Sequence, residues 1–344
     1  VKFIKRISLL SITLAQQKQL AVLLRKAGDI LDSPVATIPP INPNPVPINL
    51  VPTGIKEPSL KLVWHDEFDG TWPDLKNWRQ GERGKATGNH AAPGYPGNTE
   101  KQFYQVESVT EHDSFLDLKA SKRTVQVVKV GESDNLKNTF AKKAGTDNDP
   151  DLYYWPYYEG TFKYQSGWAS TGPDDNGWYS NWQKTPSLHE FLYGVFEFRV
   201  KLPKGKGFWP AIWMLRSDKG GKDEIDVFEM VDPAARKLAF HYHCDAVPDF
   251  TNDPGPGKDM GVDLSADFHT VAVDWTADYI RWYFDGKQVS TTEGKLDKAK
   301  ICKSPMYIIF NLAIGGDWPG DPDNTSIFPQ SMLIDYARVW NRTA

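Results

Sequence analysis

Cysteine is almost absent from this chain: its 344 residues carry two, Cys244 and Cys302. Two thiols permit at most one internal disulfide, and their spacing carries no metal-binding signature, which sets aside a disulfide framework or a cysteine-based zinc fold. A basic excess is missing as well. With a formal net charge of -4, the chain lacks the field that draws nucleic acid or an anionic membrane surface. Long apolar runs are also missing, since the run from Ile7 to Ala15 is too short to cross a bilayer as a helix. After Asp32 no long stretch repeats apolar residues at helical spacing, and no internal repeat occurs, which sets aside helical bundles and solenoids.

What the chain has in quantity is aromatic side chains, 13 Trp, 14 Tyr and 17 Phe, which offer flat surfaces for a flat partner. From Leu60 onward, eleven short apolar or alternating runs stand between turn-rich segments, among them "LYGVFEFRVKL", "FWPAIWML", "EIDVFEMV", "FHTVAVDW" and "MLIDYARVW". Runs of this length and spacing predict an all-β sandwich. Asp285-Gly286 in "DYIRWYFDGKQVS" predicts a hairpin turn. Polar insertions near 81–97, 131–160 and 246–265 are expected as surface loops. Residues 1–32 form a leader. Its Lys2, Lys5 and Arg6 ahead of the apolar run have the layout of a secretory signal, with an amphipathic helix as the other reading. Secretion is the expectation that follows. Residues 33–58 are loaded with proline and are expected as an extended linker, leaving 59–344 as one domain.

One stretch of that domain breaks its own pattern. In "EIDVFE", Glu224 and Asp226 fall on one face of a strand, while Glu229, an odd number of residues on, falls on the other. A β-bulge at Val227 or Phe228 would absorb one residue and turn Glu229 onto the face of the other two acids. Such a trio suits hydrolysis of a glycosidic bond, which needs one carboxylic acid to protonate the leaving oxygen and one carboxylate to attack or activate water. Like charges on one face repel, so a proton shared between Asp226 and a neighbouring Glu is expected. The plainer reading is a solvated strand face whose acids pair with lysines.

The segment E-I-D-V-F-E resembles the E-x-D-x-x-E signature of glycoside hydrolase family 16 in its bulged, laminarinase-like branch. "YGVFEFRVKLPKGKGFWPAIWML", "FHTVAVDWTADYIRWYFDG" and "NLAIGGDWPGDPDNTSIFPQSMLIDYARVW" resemble further strands of that family, in the same order. The resemblance implies a jelly-roll sandwich of two curved antiparallel sheets, with a polysaccharide lying in a cleft across the concave one. It implies Glu224 as nucleophile, Glu229 as general acid/base and Asp226 as the assisting acid between them. The activity it implies is retaining endo-hydrolysis of β-1,3-glucan (laminarin) or mixed-linked β-1,3-1,4-glucan, by a monomer and without a catalytic cofactor. A marine galactan hydrolase of the agarase, porphyranase or carrageenase type is the alternative, and a non-catalytic glucan-binding protein is the rival from another class.

Around the acids, Trp209 and Trp213 lie four apart and share a strand face, so both are expected as stacking platforms for sugar rings. Trp318 in "GGDWPG" and Asn98 in "GNTEKQFYQ" are expected to contact substrate, the latter with Glu100 and Gln102 on alternate positions of one face. His241 and His243 also share a face. The resemblance favours His241 beside the acids, and a metal at the pair would need a third ligand that the sequence does not reveal. The family's structural calcium maps onto Glu67, Ser114 and Asp335, Ser114 standing where relatives often have glycine.

Overall fold

The computed structural model describes residues 50–80, 98–129, 142–143, 152–155, 160–173, 186–218, 223–244, 247–251 and 257–343. The leader and the first part of the proline-rich segment lie outside the described residues, and so does the insertion at 81–97. Among the described residues the chain is a jelly-roll sandwich of two large antiparallel sheets with no α-helix. No helix there is long and apolar enough to cross a membrane.

The sheet that carries the acids runs in the order Val247–Thr251, Lys237–Cys244, Glu224–Glu229, Phe208–Arg216, Met306–Ile314, Trp168–Ser170, Arg79–Gln80. Its labelled strands are β1 (Trp168–Ser170), β2 (Phe208–Arg216), β3 (Glu224–Glu229), β4 (Lys237–Cys244) and β5 (Met306–Ile314). The opposite sheet centres on Gly194–Lys201, flanked by His269–Trp275 and by the long strand Gln330–Arg342. Alternation decides what enters the core between them. Ile212, Met214, Ile225 and Phe310 point inward from one sheet, and Phe196, Phe198, Val273 and Trp282 from the other, all fully buried. Phe198 and Phe310 meet edge to face at 5.5 Å across the gap. Burying each such side chain contributes about 1.5–3 kcal/mol, so this core holds the acid-bearing sheet rigid.

The predicted hairpin forms, with Ile280–Phe284 and Lys287–Thr291 joined at Asp285 and Gly286, both at positive φ (43° and 73°). Two expectations change. The insertions at 131–160 and 246–265 are not plain loops, because Lys142–Lys143 and Leu152–Trp155 join a small sheet and Val247–Thr251 pairs antiparallel beside β4. Nor does the tether reach Pro58. Trp340 Nε1 donates to the Leu50 carbonyl, Thr53 donates through N and Oγ1 to Glu197, and Arg342 grips Glu57. Proline removes N–H groups from a ladder but does not stop the chain lying flat on a sheet and using its remaining polar groups. The described residues from Leu50 onward therefore pack with the sandwich. Cys244 and Cys302 are both buried and free.

Candidate active site

The phase problem in β3 is resolved by a bulge. Along β2, Trp213 faces Asp226 and Ile212 faces Phe228, leaving Val227 without a partner; along β4, Asp226 faces His241 and Glu229 faces Ala239. Val227 and Phe228 both sink fully into the core. Two successive inward residues are what turn Glu229 back onto the face of Glu224 and Asp226. The bend is pinned from below, where Trp282 of the opposite sheet donates its indole N–H to the Asp226 carbonyl at 2.8 Å.

Each acid meets a different environment. Glu229 accepts from Trp209 Nε1 at 3.0 Å and lies 2.7 Å from His241 Nδ1. Asp226 is 2% exposed, with His243 Nε2 3.1 Å from its Oδ2. Burial pushes Glu224 well above the usual carboxylate range, and the charge and hydrogen bond of Asp226 push further, against the opposing pull of His243. Burial and Asp226 also raise Glu229, while His241 and Trp209 pull it down. His241 would be lowered by burial alone, but the Glu229 carboxylate outweighs this and raises it. Glu224 and Glu229 therefore both hold their protons to higher pH than a free carboxyl does.

A second tier closes round Glu229. The turn at Gly316 lies so close to Asn98 that a Cβ there would sit 2.5 Å from the Asn98 carbonyl, at a φ of +119° that side chains avoid. Asp317 N donates to that carbonyl and Lys101 N to the Ile314 carbonyl, which docks the "GNTEKQ" segment beside the "GGDWPG" turn. Trp318 is thereby carried against the two partners of Glu229, with ring centroids 5.5 Å from Trp209 and 5.7 Å from His241. Trp209 and His241 thus meet Glu229 directly, Trp318 packs against both of them, and Asn98 donates to Glu100 in the adjoining segment. Glu100, buried beneath Asn98 and bound to Gln102 Nε2 at 2.6 Å, is pushed up to about 7, chiefly by burial.

Trp213 has a different place. It lies on the expected face but is 8% exposed, packed among Tyr104, Trp168, Tyr307 and Ile309, and its Nε1 donates to Asn311 at 2.7 Å. It is floor beneath the acids and presents no open ring for stacking. Alternation names a face but not what covers it, and the covering Tyr104 comes from far away in the chain. Two groups that sequence reasoning left out of the site are Glu100 and His243. The alternate-position pattern in "NTEKQ" and "HYH" was the available signal for both.

The residues expected to hold calcium sit on the opposite sheet. Strand register brings them near one another, since Asp66 pairs with Ala337 and Leu116 with Ile334, and Ser114 takes the positive φ of 61° that glycine would supply there. Their side chains do not form a cation cage. Arg338 holds Glu67 through two hydrogen bonds of 2.9 and 2.7 Å, and Arg199 holds Asp335 at 2.6 Å. Each carboxylate is already neutralised by a guanidinium, so calcium would have to displace Arg199 from Asp335, and the acids as they stand do not fit the ion.

Comparison with known proteins adds an independent line. The model of the glycosyl hydrolases family 16 matches residues 157–338. A glucan endo-1,3-beta-glucosidase A1 of Niallia circulans is 29% identical over 307 residues, covering 84% of this chain and 39% of that protein. A glucan endo-1,3-beta-glucosidase of Cryptopygus antarcticus is 34% identical over 170 residues, covering 44% of this chain and 63% of that protein. The chain thus spans less than two thirds of either relative. Among solved structures, the catalytic domain of an endo-1,3-beta-glucanase (laminarinase) from Thermotoga petrophila superposes with a TM-score of 0.60 at 30% identity, covering 83% of this chain and 99% of that one.

Proposed function

The chain belongs to glycosyl hydrolase family 16, and from that premise we propose that it is an endo-acting, retaining hydrolase of β-1,3-glucan or mixed-linked β-1,3-1,4-glucan, working as a monomer outside the cell. The observation that carries the reading is the bulge that sets Glu224, Asp226 and Glu229 on one face. The substrate follows from the activity in the names of the glucan endo-1,3-beta-glucosidases and the laminarinase. An extracellular site of action follows from a polymer too large to enter a cell.

In this reading Glu224 sheds its proton to Asp226, with which it already shares a hydrogen bond, and attacks the anomeric carbon. Glu229 gives its proton to the departing oxygen. A glycosyl–Glu224 ester forms as the glycosidic bond breaks. Glu229, now a carboxylate stabilised by the Trp209 and His241 donors, takes a proton from water, which releases the sugar with its configuration retained. The half-buried indole of Trp318 packs beside His241, next to Glu229.

The test is to incubate the protein with laminarin, lichenan, agarose, porphyran and carrageenan, size the products, and read the first-formed anomer by proton NMR. Short β-glucan oligosaccharides of retained configuration are expected. Cleavage of a galactan alone would transfer the site to the galactan hydrolases, and no cleavage of any polymer would leave a binding protein.

A further inference from the structure

We propose that Asp226, His241 and His243 form a binding site for a divalent transition-metal ion of the zinc or copper type, and that its occupation stops hydrolysis. The sequence offered two histidines on one strand face and no third ligand. Cross-strand register supplies it, since His241 of β4 stands directly opposite Asp226 of β3 and His243 is opposite Glu224. One ligand atom from each of Asp226, His241 and His243 lies within 4.8 Å of the others, and among the described residues no other group of three or more His, Cys, Asp or Glu comes together in this way.

The two distances from Asp226 are close to those an ion requires. Ligand atoms about 2.0–2.1 Å from a tetrahedral centre stand roughly 3.3 Å from one another, and Asp226 Oδ2 lies 3.1 Å from His243 Nε2 and 3.8 Å from His241 Nδ1. A shift of a few tenths of an ångström would equalise these two, and the imidazole nitrogens, within 4.8 Å of each other, would draw together by rotation of the rings. An independent observation points the same way. Asp226 Oδ2 is fully buried and makes no hydrogen bond, despite the closeness of both imidazoles. A buried carboxylate oxygen without a donor is costly, and an ion between it and the two rings would satisfy it. Two imidazole nitrogens and one carboxylate oxygen suit zinc or copper, whereas magnesium and calcium want oxygen alone.

Occupation has a definite consequence for the chemistry proposed above, on which the inhibitory half of the inference rests. An ion on Asp226 removes the group that receives the Glu224 proton, and an ion on His241 Nδ1 removes a donor from Glu229.

The binding half is tested by titrating the full chain with zinc chloride in chelator-free buffer by calorimetry, and with cobalt(II) by visible absorption. One ion per chain with a dissociation constant in the micromolar range is expected, with the absorption of a low-symmetry four-coordinate cobalt centre. His243→Gln and His243→Ala, each checked for an unchanged melting profile, should weaken binding by about 100-fold, while magnesium should not bind. No saturable zinc binding, or zinc binding equally well to both folded variants, overturns the site. Zinc should also inhibit laminarin hydrolysis over the concentration range in which it binds, with recovery on adding EDTA; binding without inhibition overturns the inhibitory half. A wild-type protein that binds zinc but cleaves no β-glucan condemns the functional reading and leaves the site standing.

Discussion

The acids of β3 are surrounded in a different way from the arginine-paired carboxylates of the opposite sheet. On the sheet that carries no chemistry, Asp274, 2% exposed, lies 3.0 Å from Arg342, Glu67 is clasped by Arg338, and Asp335 is held by Arg199. On the acid-bearing sheet, Glu229 is met by an imidazole and an indole, and Glu224 by another carboxyl group. A guanidinium never gives up its proton, so a carboxylate beside it stays charged and structural. Imidazole, indole and carboxyl partners leave the proton free to move, which is what acid–base chemistry needs. Glu111 and Glu197 are exceptions on the structural sheet: burial and the nearby Asp66 push Glu111 up to about 8, and burial raises Glu197, which accepts from Thr53 and Tyr336.

The comparison breaks most sharply at the acids themselves. Glu224→Gln and Glu229→Gln should each lower kcat on laminarin by about 10³-fold or more, about 4 kcal/mol of barrier. Stability should move the other way. Both carboxyls have folded-state values raised above the unfolded ones, so the folded state holds extra protons and wild-type stability is lost as pH rises through those raised values. Glutamine removes that loss, and the variants should melt no lower than wild type at pH 7 and show a flatter dependence on pH. Variants that melt several degrees lower would mean the acids are structural, like those of the other sheet.

How far this contrast can be read from the sequence depends on the range of the interaction. The bulge was legible because the mismatch of Glu224, Asp226 and Glu229 lies within six residues of one strand, and the hairpin at Asp285-Gly286 was legible for the same reason. The shared face of Trp209 and Trp213 was legible too, but not their division of labour. That is settled by Asn311 taking one indole and Glu229 the other. The acid–arginine pairs were out of reach, since Glu67 and Arg338 lie 271 positions apart in the chain. So was the point where the proline-rich segment docks, which depends on Glu197 in a distant strand accepting from Thr53 as well as from Tyr336. Periodicity reports the face, and only register and packing report the partner.

On the structural sheet the counterpart change is Arg342→Ala. It leaves Asp274 buried beside Tyr279 without its cation and also frees Glu57. An uncompensated buried carboxylate of this kind costs about 3 kcal/mol, which denaturant unfolding would show as a lowered midpoint at unchanged slope. Laminarin kinetics measured well below the melting range should stay within about twofold of wild type, because no contact of Arg342 reaches the acids. A selective fall in kcat with unchanged stability would erase the distinction between the sheets.

The smallest effect should come from His241, where the contrast is tested by a movable proton and not by a lost charge. His241→Gln keeps a polar side chain beside Glu229 but removes the imidazole whose hydrogen bond and charge lower the Glu229 value. With that restraint gone, burial and Asp226 raise Glu229 further. A general acid that holds its proton more tightly stays active to higher pH, so the alkaline limb of the kcat/KM profile should shift upward. The rate at the optimum should fall by about 10-fold, because the conjugate base formed in the first step has lost a donor. An alkaline limb that stays in place, or moves down, would show that His241 acts through packing and not through the Glu229 proton.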